Sequence, residues 1–87
     1  MLVVHLDLVV SDRPDVAQRV LATCCRRQGT VIALTFTRRG DDTALLKLTV
    51  EVEPRLRRAL IDRIAGLVDV REVLTTSAAP PSRLSAA

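Results

Sequence analysis

Two hydrophobic periodicities alternate along the sequence and limit the folds open to it. In four segments apolar or β-branched residues follow the strand pattern, seen most clearly as strict alternation in TALLKLTVEV. Between them lie two segments whose apolar residues recur at helical spacing. Strands are therefore predicted in residues 2–10, 30–38, 43–52 and 70–76, and helices in residues 14–28 and 54 to about 66.

This order, β-α-β-β-α-β, consists of two similar βαβ halves. Right-handed crossovers place both helices on one face of a four-stranded antiparallel sheet. The predicted fold class is α+β, a ferredoxin-like βαββαβ sandwich. A chain of 87 residues has room for one domain, which we assign to residues 1–76. Residues 77–87 are small, contain proline and lack a period, so they are predicted to form a mobile tail.

The sheet face opposite the helices has no predicted cover within the chain. Val3, Val9 and Leu45 are expected on that face. Strand two leaves two alternatives open, since its residues facing the helices are either Ile32, Leu34 and Phe36 or Val31, Ala33 and Thr35. An uncovered apolar face or edge in so small a domain predicts a homodimer or a protein partner. Scattered surface aliphatic residues are the alternative.

Charge and cysteine usage narrow the classes of partner. The net charge is +3, but the arginine pairs at 26–27, 38–39 and 57–58 fall on different predicted elements. They are expected on solvated faces balanced by acids, and no nucleic-acid partner is predicted. No segment approaches the roughly 20 apolar residues of a membrane span, and no membrane partner is predicted. Cys24 is expected in the core, and the adjacent Cys25 gives no zinc or redox spacing, as in a reduced cytoplasmic protein.

Residues for catalysis do not converge in the predicted fold. His5 and Asp7 share one strand face about 7 Å apart, without a nucleophile beside them. An acylphosphatase of this topology needs a glycine-rich first loop, and a metallochaperone needs CxxC there; SDRPDV has neither. One phenylalanine is no platform for stacking RNA bases. No cofactor and no metal site are predicted.

The loop SDRPDV, residues 11–16, connects the first strand to the first helix. Pro14 is predicted to open the helix and Asp12 to cap it. The free N–H groups of a helix start can bind a small anion. An acid in the first helical turn, here Asp15, instead favours the helix dipole.

The segments LDLVVSDRPDVAQRVLATCCRRQGTVIAL and LLKLTVEVEPRLRRALIDRIAGLVDVREV resemble ACT domains. More narrowly, DRP, RRQGTV and IDRIAGLVDVREV resemble the small regulatory subunit of acetohydroxyacid synthase (acetolactate synthase), in its compact valine-insensitive form. The resemblance covers residues 4 to about 75. It implies an ACT dimer and a catalytic large subunit that uses thiamine diphosphate to make the precursors of branched-chain amino acids. The small subunit would itself be non-catalytic and activate that enzyme.

The resemblance also implies a possible small amino-acid effector. Sensing members carry Asn or Asp, a variable residue, then Pro-Gly in this loop. Asp12 and Pro14 match, but Asp15 stands in place of the glycine, which predicts weak valine binding. The candidate ligand-binding residues of this degenerate site are Asp12, Arg13, Asp15, Val16, Thr30 and Val31. The alternatives are a free-standing ACT sensor that binds an amino acid between protomers, and a small hydrolase of acylphosphatase topology.

Overall fold

The structure, a computed structural model, describes residues 1–79. It contains four strands, two α-helices and one short 3₁₀ turn between β3 and α2. Their bounds are β1 Leu2–Ser11, α1 Val16–Arg26, β2 Thr30–Arg38, β3 Thr43–Val52, the 3₁₀ turn Pro54–Leu56, α2 Arg57–Ala65 and β4 Val70–Ala79. The sheet order is β2-β3-β1-β4 with every neighbouring pair antiparallel, which confirms the predicted βαββαβ sandwich.

The core lies between the sheet and both helices. Alternate residues of β1 and β3 point to it, because strand side chains alternate between the two faces. They pack against α1 through Val16, Val20 and Cys24, and against α2 through Leu60 and Ile64. Full burial of side chains such as Leu60 and Ile64 stabilises the fold by about 1.5–3 kcal/mol each. Within residues 1–79, no helix is long and apolar enough to cross a membrane.

A β-bulge in β2 decides between the two orientations that the sequence left open. Val31 pairs with Val50 and Ala33 with Thr49, so Ile32 is the extra residue. Leu34 and Phe36 therefore face the core together with Val31, so the observed set combines residues of both alternatives. Ile32 is 51% exposed.

Val3, Val9 and Leu45 lie outside the core between the sheet and the helices, as expected for the helix-free face, but they do not form an exposed apolar patch. Val3 and Val9 are buried, at 0% and 8% exposure, and Leu45 is half-buried. Large exposed apolar side chains in residues 1–79 instead include Ile32 and Leu74. Leu74 is the extra residue of a bulge in β4, as Ile32 is in β2. Both residues lie at the sheet edges, since β2 and β4 are the edge strands, whereas the more exposed Val68, at 92%, lies in the loop before β4.

The end of α1 differs in detail from the expected glycine stop. Gln28, not Gly29, adopts the left-handed conformation, with φ 63°. Gly29 N–H donates to Cys24 O at 2.8 Å, and Gln28 N–H donates to Cys25 O at 3.2 Å, as in a Schellman motif. Gly29 is required for space, since a Cβ there would lie 2.9 Å from Val50 Cγ2.

Other boundaries shift by a few residues. α1 begins at Val16, two residues after the predicted start at Pro14. Pro54 opens the 3₁₀ turn, and α2 follows from Arg57. β4 continues to Ala79, three residues past the predicted strand end, and the remainder of the predicted tail lies outside the described residues.

Candidate functional site

The loop between β1 and α1 is held by two neighbouring loops. Ser11 N–H donates to Asp69 O at 2.8 Å, which ties it to the segment before β4. Asp12 N–H donates to Asp42 O at 3.0 Å, which ties it to the hairpin between β2 and β3. The loop is thus positioned by backbone hydrogen bonds from two directions.

Asp12 does not cap α1, so that prediction is wrong. Its carboxylate instead accepts an ion-pair contact from Arg38 Nε at 3.2 Å. The N-cap position belongs to Asp15, whose side chain makes no capping hydrogen bond. The carboxylate of Asp12 pairs with Arg38 on β2, a residue distant in sequence, and is therefore not available to cap α1.

Asp15 is the first member of a chain of charges. Arg19 lies 2.9 Å from Asp15 Oδ2 and 3.2 Å from Asp69 Oδ2, so it bridges the two carboxylates. Arg13 Nε lies 3.9 Å from Asp15 Oδ1. Asp69 is 7% exposed, and pairing with Arg19 offsets the cost of burying its charge. Asp15 therefore places a partly neutralised carboxylate at the positive end of α1.

The backbone at Asp15 does not require glycine. Its φ of −96° lies in a region open to every residue. A glycine in this loop would therefore matter only by removing the charge and the Cβ. Substitutions at Asp15 can therefore test separately whether its charge or its Cβ hinders an anionic ligand.

Thr30 and Val31 lie at the other end of the sheet from this loop. Thr30 pairs with Glu51, which pairs with Val3, whereas Ser11 pairs with Thr43. Eight residues of β1 separate the two ends, about 26 Å at the usual strand rise. One chain thus brings Asp12, Arg13, Asp15 and Val16 together but not the two β2 residues. A site containing all six needs a second chain.

A cavity of about 130 Å³ opens beside the start of α1. Its apolar walls include Val16, Val20 and Leu67, and its polar side is formed by Arg19 and Asp69. Sequence reasoning missed both polar residues, because Arg19 and Asp69 are fifty positions apart. Asp69 did fall within the quoted IDRIAGLVDVREV segment, but nothing there indicated its partner.

The remaining reactive side chains have structural surroundings. His5 Nδ1 lies 3.1 Å from Thr49 Oγ1, and Asp7 pairs in register with Lys47, so the two do not form a dyad. Among residues 1–79, no three His, Cys, Asp or Glu side chains are grouped to hold a metal ion. Burial, followed by the neighbouring Cys25, raises the pKa of the Cys24 thiol to about 11. Cys24 is a core residue, as predicted, and Cys25 is exposed.

The chain has an ACT-like ferredoxin fold. It is similar to the ACT domain of the GTP pyrophosphokinase of Chlorobium tepidum, with a TM-score of 0.63 and 12% identity over 88% of this chain and 96% of that one. It is also similar to the regulatory subunit of aspartate kinase from Thermus thermophilus, with a TM-score of 0.62 and 18% identity over 88% of this chain and 53% of that one.

A third similar structure is a homoserine dehydrogenase from Thiobacillus denitrificans, with a TM-score of 0.73 and 16% identity. That likeness covers 90% of this chain but only 17% of the dehydrogenase. Neither a protein-family model nor a curated protein matches the sequence. At identities of this size the likeness establishes the fold, and function must be argued from the residues.

Proposed function

We propose that this chain is a non-catalytic regulatory subunit that activates the catalytic subunit of acetolactate synthase. The observation that carries the proposal is the ACT-like fold, in a chain whose sequence resembles the small subunit of that enzyme. IDRIAGLVDVREV runs from α2 into β4 and DRP lies in the β1–α1 loop, so these resembling segments meet at one end of the sandwich. The reaction would belong to the partner, a thiamine-diphosphate enzyme.

The side-chain chemistry supports a role without catalysis. His5 is bound to Thr49, and Cys24 is buried with its pKa raised. The acids of the β1–α1 loop are paired with arginines. These groups thus serve in contacts within the domain.

The loop also supports weak sensing of amino acids. A ligand carboxylate at the start of α1 would meet Asp15, and Arg13 and Arg19 offset that charge only in part. Regulation would then act mainly through binding of this chain to its partner, with valine as a poor effector. We propose a homodimer as the assembled form, joined at a sheet edge that carries Ile32 or Leu74.

Reconstitution with the catalytic subunit of acetolactate synthase from the same organism tests the function. The purified chain alone should form no acetolactate, and adding it to the catalytic subunit should raise the rate to a saturating level. The ACT domain of the Chlorobium tepidum GTP pyrophosphokinase is a control matched in fold, and it should not activate. If the mixture works at the rate of the catalytic subunit alone, the assignment to this enzyme is wrong, although the fold stands.

A further inference from the structure

The positive charge of the domain is unevenly placed. Within residues 1–79, four of the five ion pairs involve Asp12, Asp15 or Asp69 at the β1–α1 end, and the fifth joins Arg55 to Glu53. Several other arginines in this part of the chain have no carboxylate within 4.0 Å; those on or beside the helices are Arg26, Arg27, Arg57, Arg58 and Arg63. The expectation that the arginine pairs would be balanced by acids therefore holds for Arg38 but not for the helix layer.

Three of these arginines line one groove between α1 and α2. The groove has a volume of about 660 Å³, with Arg26 and Arg27 on the α1 side and Arg63 on the α2 side. One acid, Asp62, also lines it, so its walls carry a charge of about +2 at neutral pH. Leu67 and Gly66 add an apolar floor. A second depression of about 420 Å³, which shares Arg26 and Leu67, extends the groove toward Asp15.

Helix dipoles account for only part of this arrangement. Arg26 and Arg63 each lie in the last turn of a helix, where a cation is favoured. That argument gives each helix a cation at its own end, but it does not place arginines of two helices around one groove. Like charges around one groove repel one another, and an acidic occupant would relieve the repulsion.

We propose that the α1–α2 groove docks an acidic segment of the partner protein. The proposal rests on the proposed function: the groove is the surface through which this chain would contact the catalytic subunit. Guanidinium groups bind carboxylates by paired hydrogen bonds, and the apolar floor suits the methylene groups of Glu side chains. A groove charge of about +2 would neutralise only about two phosphates, which gives little affinity for nucleic acid and favours a short acidic segment of a protein.

The test compares two double variants that change the net charge equally. Arg26→Glu with Arg63→Glu reverses the groove. Arg39→Glu with Arg58→Glu is the matched control, since Arg39 lies in the β2–β3 turn and Arg58 lines a separate depression beside Thr76. Far-UV circular dichroism and thermal unfolding first confirm that both fold. If the groove variant does not, glutamine replaces glutamate at both of its positions.

The first measurement uses hexaglutamate peptide as the probe. Amide chemical-shift changes should map to Thr23–Arg27 and 62–67. The Kd should rise at least about tenfold in the groove variant and less than about twofold in the control. Shifts elsewhere, or equal losses in both variants, would overturn the proposal. A 12-base-pair DNA duplex that binds the same groove more tightly than the peptide would assign it to nucleic acid instead.

The second measurement is activation of the catalytic subunit. The concentration of this chain that gives half-maximal activation should rise at least about tenfold in the groove variant and stay near the wild-type value in the control. Equal activation by all three proteins would overturn the groove and leave the proposed function standing. If the wild-type chain binds hexaglutamate in the groove but fails to activate the catalytic subunit, the proposed function is refuted. The acidic segment that the groove binds would then belong to a different partner protein. A lower mass of the groove variant alone in light scattering would identify a second copy as the occupant and overturn the proposal.

Discussion

Asp15 is the residue at which the ligand-binding reasoning can be tested most directly. Its carboxylate lies at the start of α1, bound to Arg19 at 2.9 Å and near Arg13 at 3.9 Å. Asp15→Ala removes the charge and keeps the Cβ, whereas Asp15→Gly removes both. Because φ at this position is −96°, neither change needs a new backbone conformation. Any difference between the two variants therefore reports on space and flexibility rather than on charge.

The expected size of the effect follows from the charges. A ligand carboxylate about 5 Å from Asp15 would be repelled by roughly 3 kcal/mol at an effective dielectric constant of about 20. That repulsion corresponds to roughly a 200-fold change in Kd. Since Arg19 and Arg13 already offset part of it, we expect Asp15→Ala to tighten valine binding by at least about tenfold.

Stability should move in the opposite direction. The exposed pair of Asp15 with Arg19 contributes about 0.3–0.5 kcal/mol, and Asp15 makes no capping hydrogen bond to lose. Asp15→Ala should therefore cost about 0.5 kcal/mol of unfolding free energy. Asp15→Gly should cost about 1 kcal/mol, because glycine adds flexibility to the unfolded chain.

Calorimetric titration with valine, leucine and isoleucine, together with urea unfolding, measures both quantities. Wild type should bind valine with a Kd above about 1 mM. Tight valine binding by the wild type would show that the arginines or a second protomer neutralise Asp15 fully. Gain of binding in Asp15→Gly without gain in Asp15→Ala would refute the electrostatic argument and make the Cβ the obstacle.

Four further predictions concern the helix end, the two cysteines and the assembly of the domain. Gln28→Gly should raise the unfolding free energy by about 1 kcal/mol, because φ is 63° there and glycine adopts this conformation without strain. Gly29→Ala should lower the unfolding free energy, because its Cβ would lie 2.9 Å from Val50 Cγ2. Urea unfolding measures both changes. In the folded protein a thiol reagent should modify exposed Cys25 and spare buried Cys24. The pKa of Cys24 rises from 9.0 to about 11 on folding, so between these pH values the folded state keeps a proton that the unfolded state releases. The unfolding free energy should therefore fall between pH 9 and 11 in the wild type, and this fall should be absent in Cys24→Ala. Light scattering should give at least a dimer mass at tens of micromolar, and Ile32→Lys or Leu74→Lys, whichever lies on the pairing edge, should lower it.

The first three strands were predicted more accurately than the ends of the helices, for a physical reason. β3 was expected at 43–52 and is found there, since one buried face imposes alternation over its whole length. The orientation of β2 could not be predicted, because both of its faces carry apolar residues and a single bulge at Ile32 decides between them. The environment of Asp12 at the start of α1 could not be predicted, because its ion pair with Arg38 and its backbone hydrogen bond to Asp42 join residues that are far apart in the sequence.

The candidate site was predictable as a loop but not as a set of contacts. Its place between β1 and α1 followed from the order of the elements, and Asp15 was predicted to be an obstacle to an anion. The Asp15–Arg19–Asp69 chain depends on how the α2–β4 loop returns to α1, which no local pattern contains. Thr30 and Val31 were grouped with the loop, and the sheet register separates them by its full length within one chain.

The residues that carry the sequence resemblance have structural roles in this domain. They are therefore weak evidence for the identity of the partner protein. Asp12 of DRP pairs with Arg38, Gly29 of RRQGTV gives room to Val50, and Asp69 of IDRIAGLVDVREV is buried against Arg19. An ACT-like domain with any partner would keep such contacts, since losing them costs stability. The choice of partner must therefore depend on side chains without a structural role. Arg26 and Arg63 have no carboxylate within 4.0 Å in residues 1–79 and line the groove between the helices, so substitutions there should change binding with little effect on folding.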